Sequence, residues 1–356
     1  MPELPGPVRV FFATPLEPEF VHQIAQLDPR IEVMYRPDLL GKSEYPGDHF
    51  GAAIQRTPEQ QAEWDACLAQ AEVLWDFDRD RPTELPRLAP NLKLLFHTSS
   101  GVAGWLGTSG LVESDVMIAN AAGIHAIPMA EWAMFAMLYF AKDTRRIQMS
   151  QRIHHWDKRF CPAELHGATL ALVGLGAVGS EIARRANQFG MRVIAHRRRT
   201  NEPLPSDIPV EKLYPREGLQ EMLSQADYVV LIVASTPDTL HMIGRDELAA
   251  LPTHAVVINL ARGAIVDQEE LVIALQQGWL AGAALDVFDP EPLESESPLW
   301  TLPNVLVTSH AISHSQAENE RLTGLFSSIL RSYLAGEPIP NLVDKRLGYS
   351  PEPAQI

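Results

Sequence analysis

ATLALVGLGAVGSEIARRANQF, residues 168 to 189, decides the reading of this chain. Ala168 to Val173 is a short apolar run of strand length. Gly174-Leu175-Gly176-Ala177-Val178-Gly179 follows at once, and a helical pattern runs from Ser180 to Phe189. A GxGxxG pattern carries little information alone. Between a strand and a helix it marks a loop that receives a pyrophosphate. Gly174 permits the tight turn, Gly176 lets backbone approach the phosphates, and Gly179 allows close helix–strand packing. The helix start then offers free N–H groups and the positive end of a dipole.

Working outward, the next strand is Met191 to Ala195, and further apolar strands fall at 228–233, 255–259, 282–287 and 305–307. This is the pattern of a doubly wound dinucleotide-binding sheet. Toward the N-terminus, strands are expected at Val8–Ala13, Ile31–Tyr35, Glu72–Asp76 and Leu92–Phe96, with helices at 18–27 and 58–70. Strands alternating with helices imply parallel sheets and an α/β class. Residues 36–58 are polar and rich in Pro and Gly, an exposed insertion. The last strand runs into Thr98-Ser99-Ser100-Gly101-Val102-Ala103-Gly104, a loop of small residues. A helix from Glu131 to Ala141 is apolar on nearly every face, and residues 142–166 form a basic, polar arm. Adjacent His154 and His155 point apart on a helix and read as solvated rather than metal-binding.

The chain has 356 residues, 46% hydrophobic, enough for two sizeable cores. Its formal charge of -16 argues against nucleic acid or an anionic membrane surface as a partner. Two cysteines, Cys67 and Cys161, lack metal or redox spacing. No run of eighteen apolar residues and no signal-peptide pattern occurs, so a cytoplasmic location is expected.

Cofactor choice is read at the end of the strand after the glycine loop. NAD-binding domains usually place an acid there, to accept from the ribose hydroxyls. This chain has Ala195-His196-Arg197-Arg198-Arg199. Arg197 takes the place of the acid, and a guanidinium fork makes paired hydrogen bonds to a phosphate. NADP(H) is therefore expected to be preferred, with NAD(H) the alternative.

Four segments in order, LVGLGAVGSEIARRANQFGMRVIA, INLARGAIVDQEEL, AALDVFDPEPL and LPNVLVTSH, resemble the D-2-hydroxyacid dehydrogenase family. IANAAGIHAIPMAEW and YLAGEPIPNLVDKRLGY are most similar to its glyoxylate/hydroxypyruvate reductase branch. The resemblance implies two Rossmann-like domains with parallel sheets. A discontinuous substrate domain, 1–119 plus 312–356, would flank an inserted dinucleotide-binding domain, 120–311. The ligand would sit in the cleft between them, and the 131–166 region would be a dimerisation arm in a homodimer. By motif, Arg262 would be the substrate arginine, His310 the catalytic histidine and Glu291 the glutamate partner of His310. The cofactor would touch Gly174, Gly176, Ala177, Val178, Gly179, His196, Arg197, Arg198, Ala234, Ser235, Thr236, Leu260, Ala261, Arg262, Asp286, His310 and Ser313. Ser99, Ser100, Gly101 and Val102 would grip the substrate carboxylate through backbone N–H groups. Trp75 would wall the pocket, with a core tryptophan as the alternative. Asp286 would contact the nicotinamide amide, or else cap its loop.

The residue types suit hydride transfer to a 2-oxo acid. A guanidinium keeps its charge and can clamp carboxylate and carbonyl oxygen. An imidazole titrating near pH ~6.5 can give a proton in reduction and take one in oxidation. Two departures from the family stand out. Ser309 replaces the usual proline before the histidine, and Ala103-Gly104 replaces a polar pair after the loop. Two other readings remain: a dinucleotide-sensing scaffold, and a sister dehydrogenase acting on formate or phosphite. Intact Arg262, Glu291 and His310 disfavour the first, and the 120–131 match disfavours the second.

Overall fold

The computed structural model describes residues 6–49, 51–52, 54–198 and 203–351. In chain order it gives β1 (Val8–Phe12), α1 (Pro18–Ala25), β2 (Ile31–Met34), α2 (Pro58–Gln70), β3 (Val73–Trp75), α3 (Leu85–Leu88), β4 (Leu94–His97), α4 (Ala103–Thr108) and β5 (Met117–Asn120). Then come α5 (Ala126–Ala141), α6 (Thr144–Arg152), β6 (Thr169–Val173), α7 (Ala177–Gln188), β7 (Arg192–His196), β8 (Lys212–Tyr214), α8 (Leu219–Leu223) and β9 (Tyr228–Leu231). The chain ends with α9 (Arg245–Ala250), β10 (Val256–Asn259), α10 (Gln268–Gln276), β11 (Gly282–Leu285), β12 (Val305–Val307) and α11 (Glu318–Ala335). Two compact units result: Met1–His125 with His314–Ile356, and Ala126–Ser313. The first crossing falls after His125 rather than near Asn120. The reason is β5, whose end is tied to the C-terminal segment: Asn120 N–H donates to Asn341 O, and Ala119 bridges Leu342.

In the first unit the strand order is β2-β1-β3-β4-β5, every pair parallel. Alternate residues face opposite layers. Val10, Phe12, Trp75 and Phe96 meet Phe326 and Ile329 of α11, while Phe11, Leu74 and Leu95 meet Trp64 of α2 and Leu85. Helix α2 starts at a capping box in which Thr57 and Gln60 satisfy each other's backbone N–H, with Pro58 in the first turn. Trp75 is fully buried, ringed by Phe12 at 5.5 Å, Phe96 at 5.2 Å and Phe326 at 5.1 Å. The expectation that it walls a substrate pocket is corrected: it is a core tryptophan.

In the second unit the order is β12-β11-β10-β9-β6-β7-β8, again all parallel. The first strand, β6, lies inside, with β7 on one side and β9 on the other. This reversal is the switch point at which open α/β sheets bind ligands. Helices α5 and α7 bury one face of the sheet and α8, α9 and α10 the other. Helix α5 starts five residues before the expected Glu131 and packs closely. A Cβ at Gly282 would stand 2.4 Å from the Phe140 ring. Residues 144–152, expected as an arm, are helix α6. Among the described residues no helix is long and apolar enough to cross a membrane.

Candidate active site and cofactor cradle

The glycine loop leaves β6 and enters α7 at the switch point. Gly174 has φ +113°, and a Cβ there would lie 2.6 Å from Ile232 O. A Cβ at Gly179 would lie 2.5 Å from Gly174 O. Both glycines answer to the protein's own packing. At Gly176 a Cβ would meet nothing within 4 Å. The protein leaves space there, at the uncapped N-terminus of a twelve-residue helix. A pyrophosphate fits such a cradle.

The loop is tied to β7, since Gly174 N–H donates to His196 O at 3.0 Å. The His196 ring is buried, with Nδ1 3.0 Å from Tyr214 O. Burial lowers its pKa. The ring is turned onto β8, and the His196 backbone serves the loop. Arg197 comes next and is half-buried. Its Nε and Nη2 are shut off from solvent and have no partner. Guanidinium donors left buried and unpaired are costly, and an anion of phosphate geometry would satisfy them. Arg198 is exposed, and Arg199 lies outside the described residues. Beyond β9, Ala234 and Ser235 are exposed. The turn is closed by Thr239, whose Oγ1 accepts from Thr236 N–H at 2.8 Å and donates to Ala234 O at 2.8 Å.

The three expected catalytic residues follow the adjacent strands β10, β11 and β12. Asn259 ends β10 and clamps the next turn: Nδ2 donates to Arg262 O at 3.1 Å, and Oδ1 accepts from Ala261 N–H at 3.1 Å. Leu260 and Ala261 are buried, which leaves Arg262 exposed, its Nη1 donating to Ala261 O at 2.7 Å. Gly263 lets this turn touch the loop after β11, for a Cβ there would fall 1.9 Å from Phe288 C. In that loop Glu291 Oε1 accepts from Phe288 N–H at 3.0 Å, and Oε2 lies 2.8 Å from His310 Nδ1. With Nδ1 turned to Glu291, Nε2 is the ring nitrogen left for proton transfer.

His310 has φ +53°, a left-handed conformation held by Asp286. Asp286 O accepts from His310 N–H at 2.8 Å, and Oδ1 accepts from Thr308 Oγ1 at 2.7 Å and Ala311 N–H at 3.1 Å. Asp286 thus caps the loop that carries His310. It also answers the missing proline at Ser309: hydrogen bonds, rather than a ring, fix the backbone before the histidine. Asn259, Gly263 and Thr308 were not singled out from sequence. Their signal was present, as an Asn at a strand end followed by a tight turn.

In the first unit, the Ser99–Val102 loop follows β4. Thr98 Oγ1 donates to Asp76 Oδ2 at 2.7 Å, Ser99 N–H to His97 Nδ1 at 3.0 Å, and Asn120 Nδ2 to Ser100 O at 2.7 Å. Asp76 follows β3 with φ +60° and pairs with Arg79 at 2.8 Å. Burial pushes its carboxyl up, but Arg79, His97 and the Thr98 hydroxyl together hold it below the ordinary carboxylate range. His97 and His49 are buried, and burial lowers the pKa of both. Val102 is buried and Gly101 exposed.

Residues 134–311 match the family model described as D-isomer specific 2-hydroxyacid dehydrogenase, NAD binding domain. A glyoxylate reductase of Korarchaeum cryptofilum is 30% identical over 269 residues, covering 74% of this chain and 80% of its own. One of Thermococcus onnurineus is 32% identical, covering 73% and 78%. The solved NADPH-dependent glyoxylate/hydroxypyruvate reductase of Sinorhizobium meliloti, in complex with NADP and sulfate, superposes with a TM-score of 0.75 at 27% identity. It covers 96% of this chain and 100% of its own.

Proposed function

Because this chain belongs to the D-isomer specific 2-hydroxyacid dehydrogenase family and is an oxidoreductase, we propose that it reduces a small 2-oxo acid of the glyoxylate or hydroxypyruvate kind to the D-2-hydroxy acid, preferring NADP(H). The observation that carries the reading is the His310–Glu291 pair at 2.8 Å, one strand end away from an exposed Arg262. The nicotinamide, when bound, supplies the hydride. Arg262 holds the carboxylate and the carbonyl oxygen, and its charge opposes the negative charge that grows on that oxygen. His310 Nε2 delivers the proton that completes the hydroxyl, while Glu291 fixes the ring through Nδ1. In the oxidative direction the same nitrogen takes the proton back. The Ser99–Val102 loop is the candidate holder of the substrate carboxylate.

The NADP preference is supported by the unpartnered Nε and Nη2 of Arg197. An NADPH-dependent relative, solved with NADP, agrees with it. The decisive assay follows NADPH and NADH oxidation with glyoxylate, hydroxypyruvate, pyruvate and longer 2-oxo acids. Rapid NADPH turnover that disappears in His310→Ala supports the reading. Tight NADP(H) binding without turnover of any acid overturns it in favour of dinucleotide sensing.

The same reading includes a homodimer. Phe135 of α5 is 50% exposed, and Ile147, Met149, Ile153 and Trp156 in and after α6 are 46%, 51%, 65% and 83% exposed. So many large exposed apolar side chains along one stretch support that reading. A monomer in sedimentation at micromolar concentration would remove it.

A further inference from the structure

Ser100 lies in the loop after β4, His125 is the last residue before α5, and Glu318 opens α11. All three belong to the first unit. Ser100 Oγ is 3.3 Å from His125 Nδ1, and His125 Nε2 is 3.3 Å from Glu318 Oε1. Ser100 Oγ also lies 3.1 Å from Ala121 O, which can only accept. The His125 and Glu318 side chains are 16% and 8% exposed, so water does little to screen the pair. Glu318 stands at a helix N-terminus, where a carboxylate is favoured. Other charges face this chain. Tyr45 and His49 approach Glu318 from the 43–49 segment, Asp76 and Arg79 act through His49, and Glu17 holds the neighbouring Asn319.

With Glu318 ionised, as its place at a helix N-terminus favours, counting protons leaves two consistent arrangements. If the Ser100 hydroxyl proton goes to Ala121 O, then Oγ must accept from His125 Nδ1. The Glu318 carboxylate also needs a proton on Nε2, so the ring is an imidazolium. If the ring is neutral, its one proton goes to Glu318, the stronger charge-assisted partner. Nδ1 then accepts the Ser100 hydroxyl, and the bond to Ala121 is given up. The charge of His125 and the tethering of Ser100 to the end of β5 are therefore one variable.

We propose that His125 is a positioning residue. Protonated, it holds Ser100 doubly tethered and the Ser99–Val102 loop ready for a substrate carboxylate; neutral, it releases one tether. This rests on the proposed function insofar as that loop binds the substrate. Ordering a loop before binding improves affinity rather than the chemical step. The effect should therefore fall on KM, while kcat keeps the pH profile set by His310.

Two measurements test it. KM and kcat for the best 2-oxo acid are compared in wild type and His125→Gln between about pH 6 and about pH 8.5, spanning imidazole titration. Wild-type KM should rise about 10-fold across that range, the worth of one charge-assisted hydrogen bond, and the His125→Gln value should stay flat. Equal slopes in the two proteins overturn the proposal. The second measurement needs no turnover: histidine 15N NMR of the free protein, with the signal assigned by its loss in His125→Gln. Both ring nitrogens should carry protons at the acidic end and only Nε2 at the basic end, with Glu318→Gln abolishing the change. A ring that keeps one form throughout overturns the relay. If no 2-oxo acid is turned over, the functional reading fails while the NMR result still decides the relay.

Discussion

The two units use the same residue types at their strand ends in opposite surroundings. In the second, His310 and Glu291 are 42% and 36% exposed and are held by few bonds. In the first, the Asp76 side chain is 0% exposed and commits Oδ2 to both Arg79 and Thr98, with His97 and His49 buried beside it. Each region also carries a non-glycine residue in the left-handed region, His310 at φ +53° and Asp76 at φ +60°. Exposed ionisable groups remain able to exchange protons with a ligand. Buried ones paired as Asp76 is with Arg79 and Thr98 hold a loop in place and take part in stability instead.

If that division holds, removing a group from either side should affect different observables. His310→Ala should lower kcat by ~100- to 10,000-fold and leave the unfolding midpoint nearly unchanged. A matching loss of stability would show that the pair is structural too. Asp76→Asn should do the reverse, destabilising by about 3 kcal/mol in urea because Arg79 loses its buried counter-charge. Arg197→Ala should raise KM for NADPH by ~10- to 100-fold, the worth of a charged hydrogen bond or two, without raising that for NADH. Equal changes for both cofactors would detach Arg197 from the phosphate. The smallest effect is in pH. His49 and His97 have folded pKa values below the unfolded one, so the unfolded chain binds more protons in the window from about pH 6.5 downward. Stability is fully present above that window and declines within it by up to about 1.4 kcal/mol per pH unit for each histidine. His97→Gln should flatten the slope of urea midpoint against pH.

Legibility from sequence followed physical range. β6, the glycine loop and α7 are local and periodic; the strand is read to within one residue, while α7 begins at Ala177, three residues before the expected Ser180. The family, the fold class and the oxidoreductase chemistry were carried by four contiguous motifs. Short β5 and β8 were passed over because each is only three or four residues long and is fixed by neighbours distant in sequence. Helix α11 was not drawn either. Its apolar stripe gains meaning only when Phe326 meets Trp75. The same holds for Trp75, whose burial depends on partners from three elements, and for the His196 ring, aimed by β8. Asp76 carried no motif, and His125, inside IANAAGIHAIPMAEW, was read only as part of a likeness. Their roles arise from bonds spanning 22 to 193 positions.

The helix α11 has a consequence for how the chain is made. It supplies Leu322, Leu325, Phe326, Ile329 and Leu330 to the core of a sheet whose strands all precede Ala121. The ribosome must deliver the whole of Ala126–Ser313 before that helix emerges. At about 5 to 20 residues per second this takes roughly 10 to 40 s, during which the inserted unit can fold. The first sheet meanwhile waits with part of its aromatic face uncovered. The polypeptide's earliest strands are thus among the last to be closed.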